Sequence, residues 1–294
     1  MHHVEAAVEE RRPFLVANHN LHSLYLLQRD ARLAPFFAQA DVIEVDSTPL
    51  IAFLRLLGLH GRPFHRCTYL DWRAHFWSLA DRKTWRVYYL GGAPGVAEAA
   101  AGQLARRYPG AVLQTRDGYF DPQGAENAAV LADIKAFDPH ILFVGMGMPR
   151  QEVWISENRT QLPRCAAFSV GAAFDYEAGV QSAAPRWLGR IGLEWLYRLA
   201  HDPARLWRRY CWEPWFLLGP ALSDITAAVR QGRFLRRPNT SSGLARVGVV
   251  GQPVPVEDRV HLGIDCVQPT RATQAEEGVV VEGPEPRLVD RQEA

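Results

Sequence analysis

The sequence predicts an α/β protein: a Rossmann-like, mainly parallel sheet flanked by helices, followed by a helical C-terminal appendage. Three observations carry this. Short apolar runs alternate with helical periodicities through the first 180 or so residues, the rhythm of βαβ units. Most of those runs end in Gly, Asn or Asp. From about Pro185 the pattern changes to Arg and Trp at helical spacing.

The strands are predicted at 14–18 (FLVAN), 40–46 (ADVIEVD), 86–92 (RVYYLGG), 111–118 (AVLQTRDG), 140–147 (HILFVGMG) and 165–175 (CAAFSVGAAFD), all rich in β-branched or apolar residues. Between them 21–40, 95–110 and 125–140 carry apolar residues three and four apart and stop near Gly or Pro, which predicts helices. A further helix is expected from about Pro49. The expected units are a catalytic domain over 1–184, a basic helical appendage over 185–237, and an acidic tail over 238–294 that is poorly ordered or forms at most a loose strand or two. Residues 186–237 hold ten Arg against four acids, whereas the tail holds nine acids against five Arg.

A chain of 294 residues is long enough for one large core plus appendages. Its formal net charge of +1 gives no global field for nucleic acid. Cys67, Cys165, Cys211 and Cys266 are scattered without a paired motif, which fits unpaired thiols in a reducing compartment, the cytoplasm. Charges occupy the N-terminal stretch where an export signal would be apolar. No run reaches the roughly 20 apolar residues of a spanning helix, so the chain is expected to be soluble or to lie on a surface.

Ligands of open α/β sheets collect beyond the carboxyl ends of the strands. The residues there are Asn18 and Asn20, Asp46, Gly91 and Gly92, Asp117 to Tyr119, Gly145 to Gln151, and Gly171 to Asp175. The turn in VYYLGGAPGVAEAA supports two readings, a phosphate or sugar at a helix N-terminus or tight strand–helix packing. Asp46 supports three: a general base, a helix cap, or, with Glu44 on the same side of the strand, a divalent-cation pair. His19, His22, His60 and His65 lack metal-like spacing, and no Gly-x-Ser-x-Gly elbow occurs. Trp187, Trp195, Trp207, Trp212 and Trp215 sit among arginines, either as a stripe packed on the core or as a surface that meets anionic headgroups. Arg198, Arg205 and Arg208, seven and three apart, are expected on one helical face, able to bind a diphosphate.

At GYFD (118–121), FDPHILFVGMGMPRQEVWISENR (137–159), VGAAFDYEAGVQSAAPRW (170–187) and GLEWLYRLAHDPARLWRRY (192–210) the chain resembles the WecG/TagA/CpsF glycosyltransferases, family 26. The resemblance is close over 87–216, looser from Phe14, and ends before the tail. It implies transfer of a sugar from a UDP-sugar to a sugar on a polyprenyl diphosphate, with inversion, without a bound metal or other cofactor, and with an appendage that meets the membrane's inner face. It implies Asp46 as catalytic base and Asn18 and Asn20 as substrate contacts. Arg66, Gln151, Tyr119 and Asp175 are implied nearby, and Arg198, Arg205 and Arg208 on the appendage. On this reading Gly145 and Gly147 admit the donor, Pro149 fixes the helix start, and Gln151 aims its amide at sugar hydroxyls or diphosphate. Self-association is a family tendency. Asn18, Ser47 and Tyr69-Leu70-Asp71 depart from the family's usual Thr, Gly and Gly-Thr-Asp, which leaves the transferred hexose, N-acetylhexosamine or hexuronic acid open. The rival readings are an NAD(P)-dependent oxidoreductase, on the glycine turn, and a non-catalytic membrane adaptor, on the Arg/Trp segment.

Overall fold

The computed structural model describes residues 1–59, 66–185, 188, 189, 192–232, 234, 235, 261 and 262. Chain order runs α1 (His2–Glu9), β1 (Phe14–His19), α2 (Leu21–Leu27), α3 (Leu33–Ala38), β2 (Val42–Val45), α4 (Thr48–Leu56), α5 (Tyr69–Arg82) and β3 (Arg86–Gly91). It continues with α6 (Val96–Arg107), β4 (Val112–Arg116), α7 (Ala125–Phe137), β5 (Ile141–Gly145), α8 (Arg150–Asn158), β6 (Ala166–Ser169) and α9 (Ala173–Glu177). The appendage holds α10 (Glu194–His201), α11 (Pro203–Trp207), a π-helical turn (Arg208–Trp212), α12 (Glu213–Phe216) and α13 (Leu218–Arg230). A last strand, β7 (His261–Leu262), lies beside β2.

Every strand pairing is parallel, and the order across the sheet is β4-β3-β5-β6-β1-β2-β7. Because side chains alternate along a strand, each strand feeds two cores. Val87, Tyr89, Ile141, Phe143 and Phe168 face α1, α5, α6 and α9, while Tyr88, Leu90, Leu142 and Val144 face α3, α7 and α8. On the first face α5 places Trp72, Phe76 and Trp77 around Phe143, with ring centroids 6.1, 5.0 and 6.1 Å away, within the range of favourable aromatic contacts.

Three sequence expectations change. The helix read over 21–40 is two helices, because the polar stretch Gln28–Arg32 interrupts its apolar face. The strand read over 165–175 stops at Ser169; Gly171, at φ 54°, turns the chain into α9. Cys165 and Cys211 are free thiols, as read, but Cys67 is disulfide-bonded.

The appendage packs on α2. Arg29 lies 4.5 Å from the ring centroids of both Tyr25 and Phe216, and His22 Nδ1 is 2.6 Å from Glu213 Oε2. No helix among the described residues is long and apolar enough to cross a membrane.

Candidate functional site

The sequence requirement for glycine at the strand ends is steric before it is chemical. A Cβ on Gly91, at φ 154°, would lie 2.4 Å from the Gly145 carbonyl oxygen, and a Cβ on Gly145 would lie 2.3 Å from the Tyr89 hydroxyl. Gly91 and Gly145 therefore allow β3, β5 and the β6 turn to close on one another, the packing reading of the glycine turn. Gly92 and Gly147 take positive φ and line the open space beyond.

That space is a cleft of about 700 Å³ at the carboxyl edge of the sheet. Asn18 and Asn20 reach it from the end of β1, Asp46 from β2, Gly92 from β3, Tyr119 from the loop after β4, Gly145, Gly147 and Gln151 from β5 and α8, and Asp175 from α9. Arg198 and Arg208 close it from the appendage. A second chamber of about 340 Å³ adjoins it and is walled by α2, α4 and the appendage. Asn20, His22, Asp46, Arg198, Arg209 and Tyr210 line both, so the Asp46 carboxylate stands at the boundary between two rooms.

Local sequence explains how Asp46 is presented. Its backbone N–H donates to His19 O at 2.8 Å, which ties it to the end of β1. Ser47, not Asp46, caps α4: its side chain accepts from the Leu50 N–H. The cap reading of Asp46 therefore passes to its neighbour, and the carboxylate is left to face the boundary. There Arg66 Nη2 donates to Asp46 Oδ1 at 3.1 Å and to Glu194 Oε2 at 2.5 Å. Arg198 donates to Glu194 at 2.9 Å and to the Tyr176 hydroxyl at 2.6 Å. One network thus links strand end, Arg66 and appendage.

Glu44, two residues earlier, is a different kind of carboxyl. It is buried, and burial together with the charge of Asp46 pushes it up to about 7. Among the described residues no group of three or more His, Cys, Asp or Glu has metal-holding geometry.

Several predicted residues sit differently from their expected roles. Gln151 lines the cleft but is buried: its Oε1 accepts from the Gly171 N–H at 3.1 Å and its Nε2 donates to Glu152 at 2.6 Å. These contacts fix the turn after β6, so the side chain shapes the site from behind. α8 starts at Arg150, directly after Pro149. Asn20 caps α2 through Ser23, and its Nδ2 lies 3.4 Å from Asn18 Oδ1. Arg198 and Arg208 do not share one helical face, because the chain breaks between α10 and α11 at Asp202; the break and the π-helical turn bring them to the same cleft. The side chain of Arg205 lies outside the described residues. Tyr119, 73% exposed, stands at the rim.

Sequence reasoning missed Arg209, Glu194, Tyr176 and Tyr210. Arg209 lines both rooms because the π-helical turn shifts the register that a regular helix would give. In the smaller chamber Arg66, Arg198 and Arg209 face Asp46 and Glu194, an excess of positive charge beside a carboxylate. Such a wall suits an anion such as a diphosphate, with guanidinium forks as donors. The N-terminus of α6, uncapped by a side chain, brings Ala93 and Val96 to the larger cleft, where the helix dipole favours negative charge.

The model described as Glycosyl transferase WecG/TagA/CpsF family matches residues 1–230. An N-acetylglucosaminyldiphosphoundecaprenol N-acetyl-beta-D-mannosaminyltransferase of Bacillus spizizenii is 29% identical over 212 residues, covering 72% of this chain and 77% of that protein. Proteins of the same name from two Staphylococcus aureus strains are 32% identical over 171 residues, covering 58% of this chain and 65% of each of theirs. The chain thus spans just under two thirds of the staphylococcal relatives.

Proposed function

The chain belongs to the glycosyl transferase WecG/TagA/CpsF family, and from that premise we propose that it moves a sugar from a UDP-sugar to a sugar carried on a polyprenyl diphosphate. The observation that carries the proposal is the position of Asp46 at the boundary of two rooms, one polar and large enough for a nucleotide sugar, the other lined with arginines. The donor occupies the strand-end cleft, its diphosphate near the α6 N-terminus. The acceptor diphosphate occupies the smaller chamber, against Arg66, Arg198 and Arg209. Asp46 takes the proton of the acceptor hydroxyl, which attacks the donor's anomeric carbon from the face opposite the leaving UDP, so the configuration inverts.

In our reading no metal serves the reaction. Backbone N–H groups and guanidiniums offset the charge that develops on the leaving diphosphate. Glu44, pushed to about 7, is a weaker partner for a hard cation than an ordinary carboxylate. Calorimetry separates this activity from the oxidoreductase alternative: UDP is expected to bind and NAD not to. Tight NAD binding without UDP binding would overturn the assignment.

The appendage is read as the membrane contact, on the cytoplasmic face. Trp207, Trp212, Trp215, Leu218 and Leu222 are each more than half exposed on an arginine-rich segment, a composition suited to anionic headgroups. Trp215→Ser combined with Leu222→Ser is expected to weaken sedimentation with phosphatidylglycerol vesicles about tenfold or more, since each buried large side chain contributes roughly 1.5–3 kcal/mol. Undiminished sedimentation would remove this role from α12 and α13.

A further inference from the structure

Beyond the two rooms lies a third space, a groove of about 210 Å³ where α2 and α4 meet α12 and α13. Its walls are almost wholly apolar: Leu24 from α2, Leu50 and Phe53 from α4, Leu217 and Ala221 from the appendage. We infer that this groove holds the first isoprene units of the acceptor's polyprenyl chain, an inference that rests on the activity proposed above.

Continuity is the first support. Leu21 and Pro214 line both the groove and the smaller chamber, so the two adjoin. Through the molecule the order is therefore apolar groove, arginine-lined chamber, Asp46, polar cleft. An acceptor consisting of hydrocarbon tail, diphosphate and sugar hydroxyl has the same order of chemistry, ending where the donor begins. A soluble sugar acceptor would gain nothing from an apolar wall, since a polar group placed there loses its water without replacement.

The entrance is the second support. Leu218 forms part of the groove and is itself 51% exposed, close in sequence to the exposed Trp215 and Leu222. A chain embedded in a bilayer would enter from that apolar surface without crossing a polar rim. Asp224, one of the few polar residues at the wall, has its carboxyl raised by burial.

The test compares binding of farnesyl diphosphate and inorganic diphosphate to the full-length protein by calorimetry. Wild type is expected to bind farnesyl diphosphate at least tenfold more tightly. In Ala221→Trp, which fills the groove, and in Leu217→Gln, which makes it polar without added bulk, the ratio of the two dissociation constants is expected to fall toward one. A ratio near one in wild type, or one unmoved by both substitutions, would overturn the inference. So would equal tightening by dodecyl diphosphate, which would assign the groove to straight alkyl chains. A parallel transfer assay on wild type with a short-tailed, diphosphate-linked N-acetylglucosamine separates the two claims. Transfer with a binding ratio near one sinks the groove alone; a ratio above ten without transfer from any UDP-sugar sinks the activity alone.

Discussion

Asp46→Asn is expected to lower the transfer rate about 10²–10⁴-fold, the usual contribution of a positioned general base, while leaving UDP affinity within about twofold. The expectation follows from placement. Ser47 already caps α4 and the Asp46 backbone N–H already holds β1, so the amide variant keeps both structural jobs and loses only the proton acceptor. It also keeps a carbonyl oxygen for the Arg66 contact seen at 3.1 Å. Single-turnover kinetics with saturating donor, beside calorimetry with UDP, reads the two quantities separately. A variant that turns over near the wild-type rate would end the base assignment. Loss of UDP affinity in step with rate would instead make Asp46 a donor-binding residue.

Arg198→Ala is expected to produce the second largest loss, about 10²–10³-fold in kcat/KM for the lipid acceptor, comparable to removing one preorganised donor from a developing anion. Arg198 lines both rooms and is held in place by Glu194 and the Tyr176 hydroxyl. Its loss leaves Arg66 and Arg209 to neutralise Glu194 and Asp46. Arg198→Lys is expected to recover only part of the activity, because an ammonium restores the charge but not the planar fork. A purely structural role would show as equal losses for both variants together with a lowered melting temperature. Full recovery by Lys would reduce the role to point charge.

The sheet was legible because its strands are short, apolar and bounded by turn residues. The period of two that separates Val87 and Tyr89 from Tyr88 and Leu90 is visible in the chain itself. The convergence of Asn18, Asp46, Gly147 and Asp175 on one edge also followed from sequence, since every parallel strand delivers its final residues to the same side. What was hidden depended on tertiary partners. Glu194 gains its meaning from Arg66, 128 positions away, and no local pattern pairs them. Gln151 reads as a polar group at a ligand turn, yet its amide is committed to Gly171 and Glu152. Arg209 carries no local signal, because the periodicity of a regular helix does not foretell the π-helical turn that the chain makes there. Gly91 and Gly145 invite a phosphate reading, whereas their immediate cause is the closeness of neighbouring strands. The apolar groove joins residues of α2 and α4 to residues about 160 to 200 positions later, so it exists only in the folded chain.

The appendage shows how a chamber can be completed late in the sequence. Without Arg198, Arg209 and Tyr210 the smaller chamber would lose one wall and much of its positive charge. The His22–Glu213 contact and the Arg29 stack hold that wall against α2, so the smaller chamber is complete only with the appendage docked.

The most direct test of the central claim is mass spectrometry of the products formed from a panel of UDP-sugars and a short-tailed, diphosphate-linked N-acetylglucosamine, with the new anomeric linkage assigned by NMR. The account predicts addition of a single sugar from one member of the panel, with the donor's α configuration converted to β. Retention of configuration, or an acceptor unchanged by every donor while UDP still binds, would contradict it.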